Sequence, residues 1–316
     1  MFNYNQATKL YLSHLRTNNA SVHTLKSYGD LLSRYGAFCT LEGLDAASPA
    51  AVTDFKSQLS DKGNKLVTMA QRMNVLHLFF YFCLSRKLLE GENPVLPDLM
   101  PPRKKIRAER KPYSHLMGET EIKTLFSTQE YKGATRKLLP RNRAMVLMLV
   151  GCGLRNTELR TLTLADCVFG ENEESKVIVR SGKGGKFRFV PFPAPVQQAV
   201  REYLESGIRP CGLSDDDLLF GVGDTRDEWH IMGRDALSDM CERYVHSVTG
   251  FDKSKSHACR HAFASFNLTH GVPMAEIQSM LGHSSIMTTE HYAALLRPTA
   301  PTASGNRIFN DLATEP

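Results

Sequence analysis

Residues 94–112 constrain the fold of this chain more than any other stretch. They hold Pro94, Pro97, Pro101, Pro102 and Pro112. Proline fixes φ and removes a backbone donor, so neither a helix nor a central strand runs through such a segment. The composition predicts an extended break between two folding units. Between the prolines stand Arg103, Lys104, Lys105, Arg107, Arg110 and Lys111 against a single Glu109. A basic tether of this kind either stays solvated or lies along a phosphate backbone. With 316 residues, the chain has length for two domains of about 100–200 residues each.

The part before the break reads as four packed helices and no strand. Leu10, Leu12 and Leu15 recur among polar residues over 4–17, and Ser21 is a candidate N-cap for a helix carrying Leu25, Tyr28, Leu31, Leu32, Tyr35 and Phe38. Ser48-Pro49 is a helix start, a capping residue with proline at the first position. Residues 67–89 form the longest amphipathic stretch, with Met73, Leu76, Phe79, Phe80 and Phe82 as its apolar mass. After the break the helical pattern resumes at Glu119. An apolar run over 144–153 predicts a buried helix and a glycine turn, and a short helix spans 158–164. Residues 176–180 and 187–191 read as two strands around the turn Gly182–Gly185, a β-hairpin on an otherwise helical domain. Helices are expected over 196–204, 233–248, 256–267 and 274–281.

Bulk composition narrows the function classes. The hydrophobic fraction of 42% allows a sizeable core, and no run of about 18 apolar residues is present, so a membrane span is not expected. No basic segment followed by an apolar stretch opens the chain, so no secretory signal is read. Seven cysteines are scattered, odd in number and never spaced C-x-x-C, which fits reduced thiols in a cytoplasm. The net charge of +6 is a mild basic excess and says less than its local concentration.

The chemistry gathers in five phrases of the second half. They are 153–159 (GLRNTEL), 181–186 (SGKGGK), 257–261 (HACRH), 281–283 (LGH) and 288–292 (TTEHY). Within them stand Arg155, Lys183, His257, Arg260, His283 and Tyr292: two guanidiniums, an ammonium, two imidazoles and a phenol. That set suits a phosphodiester. Arginine forks bind two non-bridging oxygens and keep their proton. Fixed donors match the charge that develops on phosphorus better than water does. Arg155 follows a glycine turn at a helix start, where backbone donors also favour an anion. Arg260 lies three residues after His257 and shares its helix face. A lone arginine is usually a surface ion pair and a lone histidine usually structural; the phrases together carry the reading. Glu158, three after Arg155, orients an arginine or supports the fold. His257, Cys259 and His261 do not converge on one ion in a helix, so no metal is expected. The glycine-rich turn is no nucleotide P-loop, because G-x-x-x-x-G-K-[ST] is missing.

The order and phrasing of these motifs resemble the tyrosine recombinase (phage integrase) family, over 118–297 above all and more loosely over the first hundred residues. The nine-residue gap from His283 to Tyr292 matches the family pattern. The resemblance implies a mainly α fold with a small β-hairpin or sheet: a two-domain C-shaped DNA clamp. Residues 1–93 would be the helical core-binding (SAM-like) DNA-binding domain, 94–117 a basic linker, and 118–298 the α+β catalytic domain. The tail 299–316, with Phe309 and Leu312 as isolated anchors, is a candidate for docking on a neighbouring protomer.

The resemblance further implies Tyr292 as nucleophile, Lys183 as the proton donor to the leaving 5′ oxygen, and Arg155, His257, Arg260 and His283 as phosphate donors and proton handlers. Glu158 takes a supporting place; with a DNA site downstream, Arg103, Lys104, Lys105 and Arg107 of the basic tether are read as phosphate-backbone contacts, and Lys186 is either such a contact or solvated. His261 is read as packing, and His291 is given no role. The partners implied are double-stranded recombination sites and, on synapsed DNA, three further copies of a chain that is monomeric when free. Neither cofactor, metal nor ATP is required, because the bond energy stays in a 3′-phosphotyrosyl link. The chain enters its first helix almost at once, which looks closer to Xer-like, transposon and integron recombinases than to integrases with an arm-binding domain. Integration and excision of a mobile element is the first expectation, and chromosome-dimer resolution the second. A non-cutting DNA-binding regulator and a type IB topoisomerase-like nicking-closing enzyme use overlapping residues and remain open at this point.

Overall fold

Asn3, Ser21 and Ser48 start three of the helices in the first half of the chain. Each side-chain oxygen accepts a backbone N–H three residues on, from Gln6, Thr24 and Ala51, which satisfies a donor that the first helical turn leaves open. The helices are α1 (Tyr4–Thr17), α2 (Val22–Leu41), α3 (Pro49–Asp61) and α4 (Leu66–Ser85). They belong to a computed structural model that describes residues 2–102, 116–128, 138–170, 175–180, 187–223 and 228–282. Two units, Met1–Pro112 and Tyr113–Pro316, divide the chain.

The first unit is built on aromatic side chains. Tyr35, Phe79 and Phe80 have no solvent exposure and meet Phe55 and Tyr4 edge-on or tilted. Burial of each such ring stabilises by roughly 1.5–3 kcal/mol. The hydroxyls that come with the tyrosines find carbonyls, Tyr4 donating to Leu32 and Tyr35 to Ala46, both at 2.8 Å. Helix α4 stops at Ser85, four residues short of the expected end. The segment after it is not wholly extended: Pro97–Leu99 forms a 3₁₀ turn, and Val95 and Leu99 are buried in the first core. Two apolar side chains among the prolines outweigh the preference for an extended tether there. The basic stretch with Arg103, Lys104, Lys105 and Arg107 lies outside the described residues.

The second unit packs helices around α6 (Leu139–Gly151). From Ala144 to Gly151 every residue of α6 is buried, as expected for a helix enclosed on all sides. It follows α5 (Glu119–Ser127) and packs against α8 (Ala194–Glu205), α9 (Arg234–Thr249) and α10 (Ser256–Thr269). Between α6 and α8 come the short α7 (Asn156–Arg160) and three antiparallel strands in the order β1-β2-β3: Cys167–Val168, Lys176–Val179 and Arg188–Pro191. The hairpin was expected from its Val, Ile and Phe content. The third strand β1 was not, since two residues carry no alternation. Val177, Val179 and Val190 face inward, while Phe189 stands outward beneath the Lys176 ammonium at 5.2 Å.

Helix α7 is shorter than expected. Its continuation is captured when Leu219 donates its N–H to the Leu162 carbonyl (2.8 Å) and Thr163 bridges Leu218. A second two-stranded sheet, β4 (Val222–Gly223) with β5 (Trp229–His230), also went unforeseen for want of alternation. The described part ends with α11 (Met274–Leu281) and Gly282.

Candidate phosphate-binding site

The turn between α6 and α7 sets the first arginine. Gly153 adopts φ +63°, and a Cβ there would lie 2.5 Å from the Phe263 ring. Only glycine fits both the left-handed backbone and the close approach. The turn leaves Arg155 extended as the N-cap of α7, and its backbone N–H donates to Glu158 Oε2 at 2.7 Å.

Glu158 is the hub. Its side chain is 1% exposed and meets three guanidiniums. Arg155 Nη1 donates to Oε1 at 2.6 Å. Arg188, from β3, donates through both prongs, Nη1 to Oε1 at 2.8 Å and Nη2 to Oε2 at 2.7 Å. Arg260 Nη1, from α10, lies 3.7 Å from Oε2. Burial pushes the carboxyl upward in pKa, but the hydrogen bonds and charge of Arg188, together with the Arg155 donors, outweigh it and hold Glu158 at about 2, against an ordinary 4.5. Breaking a buried ion cluster of this kind leaves uncompensated charge, so its integrity depends on all of its members.

The same three arginines close the end of α11. Arg188 Nε donates to the Met280 carbonyl (2.7 Å), Arg260 Nη2 to Leu281 (2.5 Å) and Arg155 Nη2 to Gly282 (2.7 Å). A helix C-terminus carries orphan carbonyls and a partial negative charge, and cations satisfy both. Arg260 also donates through Nη1 to the Gly153 carbonyl at 2.6 Å. Gly282 caps the helix at φ +60°, and a Cβ there would press on the Arg188 side chain at 3.0 Å.

His257 stands exposed in the first turn of α10, its ring 4.2 Å from that of His261. Partial burial and then the neighbouring charges of Arg260 and Arg155 lower its pKa below the usual 6.5 and so disfavour the imidazolium. Asn156 ties α7 to the start of α10, its amide donating to Ser256 Oγ (2.9 Å), Ser238 Oγ (3.3 Å) and the Arg234 carbonyl (3.2 Å). The structure thus brings Arg155, Glu158, His257 and Arg260 together. Lys183, Lys186, His283 and Tyr292 lie outside the described residues. Cys259 is fully buried, with its thiol directed at the Ser254 carbonyl, while His257 is exposed; the trio does not form a metal site.

Two features escaped the sequence reading. Arg188 shares a strand face with buried Val190, and a charge at an inward strand position was its available signal. The other is a polar groove of about 630 Å³ in the first unit. Helix α2 lines it with His23, Lys26 and Arg34, and α4 with Gln71, Arg72 and Asn74.

A family model described as "Phage integrase family" matches residues 116–297, and one described as "Phage integrase, N-terminal SAM-like domain" matches 8–87. The chain belongs to the phage integrase family of tyrosine recombinases. It is 30% identical to the tyrosine recombinase XerC of Chlorobaculum tepidum, over 89% of this chain and 88% of that protein. With the tyrosine recombinase XerA of Thermococcus onnurineus it shares 29% identity over 91% and 90%. A XerH recombinase solved on palindromic difH substrate as a post-cleavage complex superposes with a TM-score of 0.71 at 19% identity, covering 93% of this chain and 81% of that one. A Tn1549 transposon integrase on transposon right-end DNA gives 0.64 at 20% identity, over 93% and 95%. Among the described residues, no helix is long and apolar enough to cross a membrane. As a member of this family the chain is a site-specific recombinase, an enzyme that cleaves and rejoins DNA through a tyrosine intermediate.

Proposed function

We propose that Arg155, His257 and Arg260, joined by His283, hold the scissile phosphate of a recombination site while Tyr292 attacks it. One observation carries this reading. The guanidiniums of Arg155 and Arg260 gather on one buried carboxylate beside the end of α11, and the next residue in the chain is His283. The phenol oxygen bonds to phosphorus and its proton passes to an imidazole, for which His257, whose charged form is disfavoured, is suited. The 5′ oxygen leaves with a proton from Lys183, and a 3′-phosphotyrosyl link remains. A 5′-hydroxyl from a partner duplex reverses the step. A second pair of exchanges resolves the resulting Holliday junction within a tetramer. Electrostatic fixation of the phosphate supplies most of the acceleration, since the reaction needs positioning and charge.

The groove of the first unit, lined by Lys26, Arg34 and Arg72 with the amides of Gln71 and Asn74, lies on this reading against duplex DNA. Cations there bind phosphates, and amides read adenine edges. The basic run Arg103, Lys104, Lys105 and Arg107, with Lys186, adds backbone contacts.

The decisive substrate is a nicked duplex bearing a site that the protein selects from a random-sequence pool. The wild type traps as a covalent protein–DNA adduct; Tyr292→Phe binds the duplex and yields none. A wild type that never forms the adduct sinks the reading. As to biological role, excision and integration of a mobile element accounts for the chemistry. Similarity to XerC along almost the whole length of both proteins favours a second role, resolution of chromosome or plasmid dimers. Deleting the gene separates them: loss of a circular excision junction marks the first, and accumulation of multimers the second.

A further inference from the structure

From the contacts of the β3 arginine we infer that Arg188 is a positioning residue for strand cleavage, one that occupies Glu158 so that Arg155 stays available to the phosphate. The inference rests on the phosphate-site reading above. Arg188 does not face solvent as a DNA-contacting arginine does; its side chain is 14% exposed against 38% for Arg155. It engages both oxygens of Glu158 in a fork-to-fork pair, the strongest geometry open to a guanidinium and a carboxylate. Its third nitrogen holds the Met280 carbonyl. One side chain therefore joins three pieces of chain: the α7 turn that presents Arg155, the β3 strand that follows residues 181–186 with Lys183, and the end of α11 that precedes His283.

Charge explains why a third arginine is needed. One carboxylate among three guanidiniums leaves a formal surplus of two positive charges beside the phosphate site. Without Arg188 the surplus drops to one. Each oxygen of Glu158 then loses one donor, while Arg155 stays beside it, with Nη1 at 2.6 Å from Oε1 and the backbone N–H at 2.7 Å from Oε2, and Arg260 lies 3.7 Å from Oε2. A buried carboxylate draws such donors inward, because an unpaired charge there is costly. The carboxylate that holds Arg155 in place would then compete with the phosphate for it. Arg188 limits that competition by supplying one donor to each Glu158 oxygen beside those of Arg155. A lysine replaces it only in part, since its ammonium lacks the planar fork that spans both carboxylate oxygens while a third nitrogen holds the Met280 carbonyl.

The test uses the full chain and the nicked duplex described above, and measures DNA affinity and the single-turnover rate of adduct formation separately. Arg188→Met is expected to bind the duplex within about 5-fold of wild type and to form adduct about 100-fold more slowly. Adding Glu158→Gln to Arg188→Met returns the surplus to two and is expected to recover at least about 10-fold of the rate. Arg188→Lys falls between. A wild-type rate from Arg188→Met overturns the inference, as does a slow Arg188→Met that Glu158→Gln fails to improve, which marks a purely structural prop. If Arg188→Met does not fold, Arg188→Lys decides, and a wild-type rate from it overturns the inference. A wild type that forms no adduct instead brings down the phosphate-site reading itself.

Discussion

Arg188 and Glu158, thirty residues apart in sequence, face each other fork to fork at 2.8 and 2.7 Å in the interior of the second unit. The pair converts a carboxylate that burial alone would neutralise into a permanent anion, and that anion is the point about which Arg155 and Arg260 are arranged.

Glu158→Gln as a single change removes the carboxylate that contacts Arg155, Arg188 and Arg260, and a loss of about 3–5 kcal/mol in unfolding free energy at pH 7 is expected. Urea titration measures it. The wild type carries a matching pH signature. Because the folded pKa is held at about 2, the contribution of Glu158 is complete above its ordinary 4.5 and fades as pH falls towards 2. Stability of Glu158→Gln should therefore approach that of wild type as the urea midpoint is followed down that interval.

Gly153→Ala forces a side chain into a left-handed turn, at about 1–2 kcal/mol, and into the Phe263 ring, whose nearest atom is 2.5 Å away. Overpacking adds about 1–3 kcal/mol. The Gly153 carbonyl that receives Arg260 moves with the turn. Both the melting temperature and the rate of adduct formation should fall, the second by more than dilution of folded protein explains.

His257 should titrate below 6.5 in the folded chain, since partial burial and the charges of Arg260 and Arg155 all disfavour the imidazolium. Its ring proton signals followed by NMR against pH give the value. Arg155→Met removes one of those charges and should move the midpoint upward. A midpoint that stays fixed would remove Arg155 from the vicinity of the ring.

In the first unit, Lys26→Ala and Arg72→Ala should each weaken DNA binding for any duplex sequence and reduce the slope of log affinity against log salt by about one. Gel shifts at several salt concentrations check this. Gln71→Ala, lacking a charge to remove, should leave the slope alone and alter preference among sites.

Local chemistry made much of this molecule readable from its sequence. The caps at Ser21 and Ser48 and the all-apolar run of α6 each depend on neighbours a few residues away, and each stands where the sequence puts it. The glycine turn before Arg155 was legible for the same reason. Arg188 was not, because its partners lie 30 and 92 residues away. Nothing in the strand shows that a guanidinium will turn inward to a carboxylate not yet placed. The short β1 and the β4–β5 pair were illegible because two-residue strands have no period to detect. The sequence pattern carries α7 on to Leu164 while the helix ends at Arg160, because the Leu162 carbonyl is taken by the N–H of Leu219, far down the chain. Sequence also placed Arg260 and His257 on a common helix face without showing that the first is buried and the second exposed.

Among the described residues, the aromatic nucleus around Tyr35, Phe79 and Phe80 has no side chain in common with the interior built around α6. The first hundred residues can accordingly be treated as a cassette. Exchanging them for the matching segment of another recombinase would leave the buried cluster around α6 with its own side chains, and if the first unit reads the site, as proposed, the exchange would redirect the enzyme without repacking its engine.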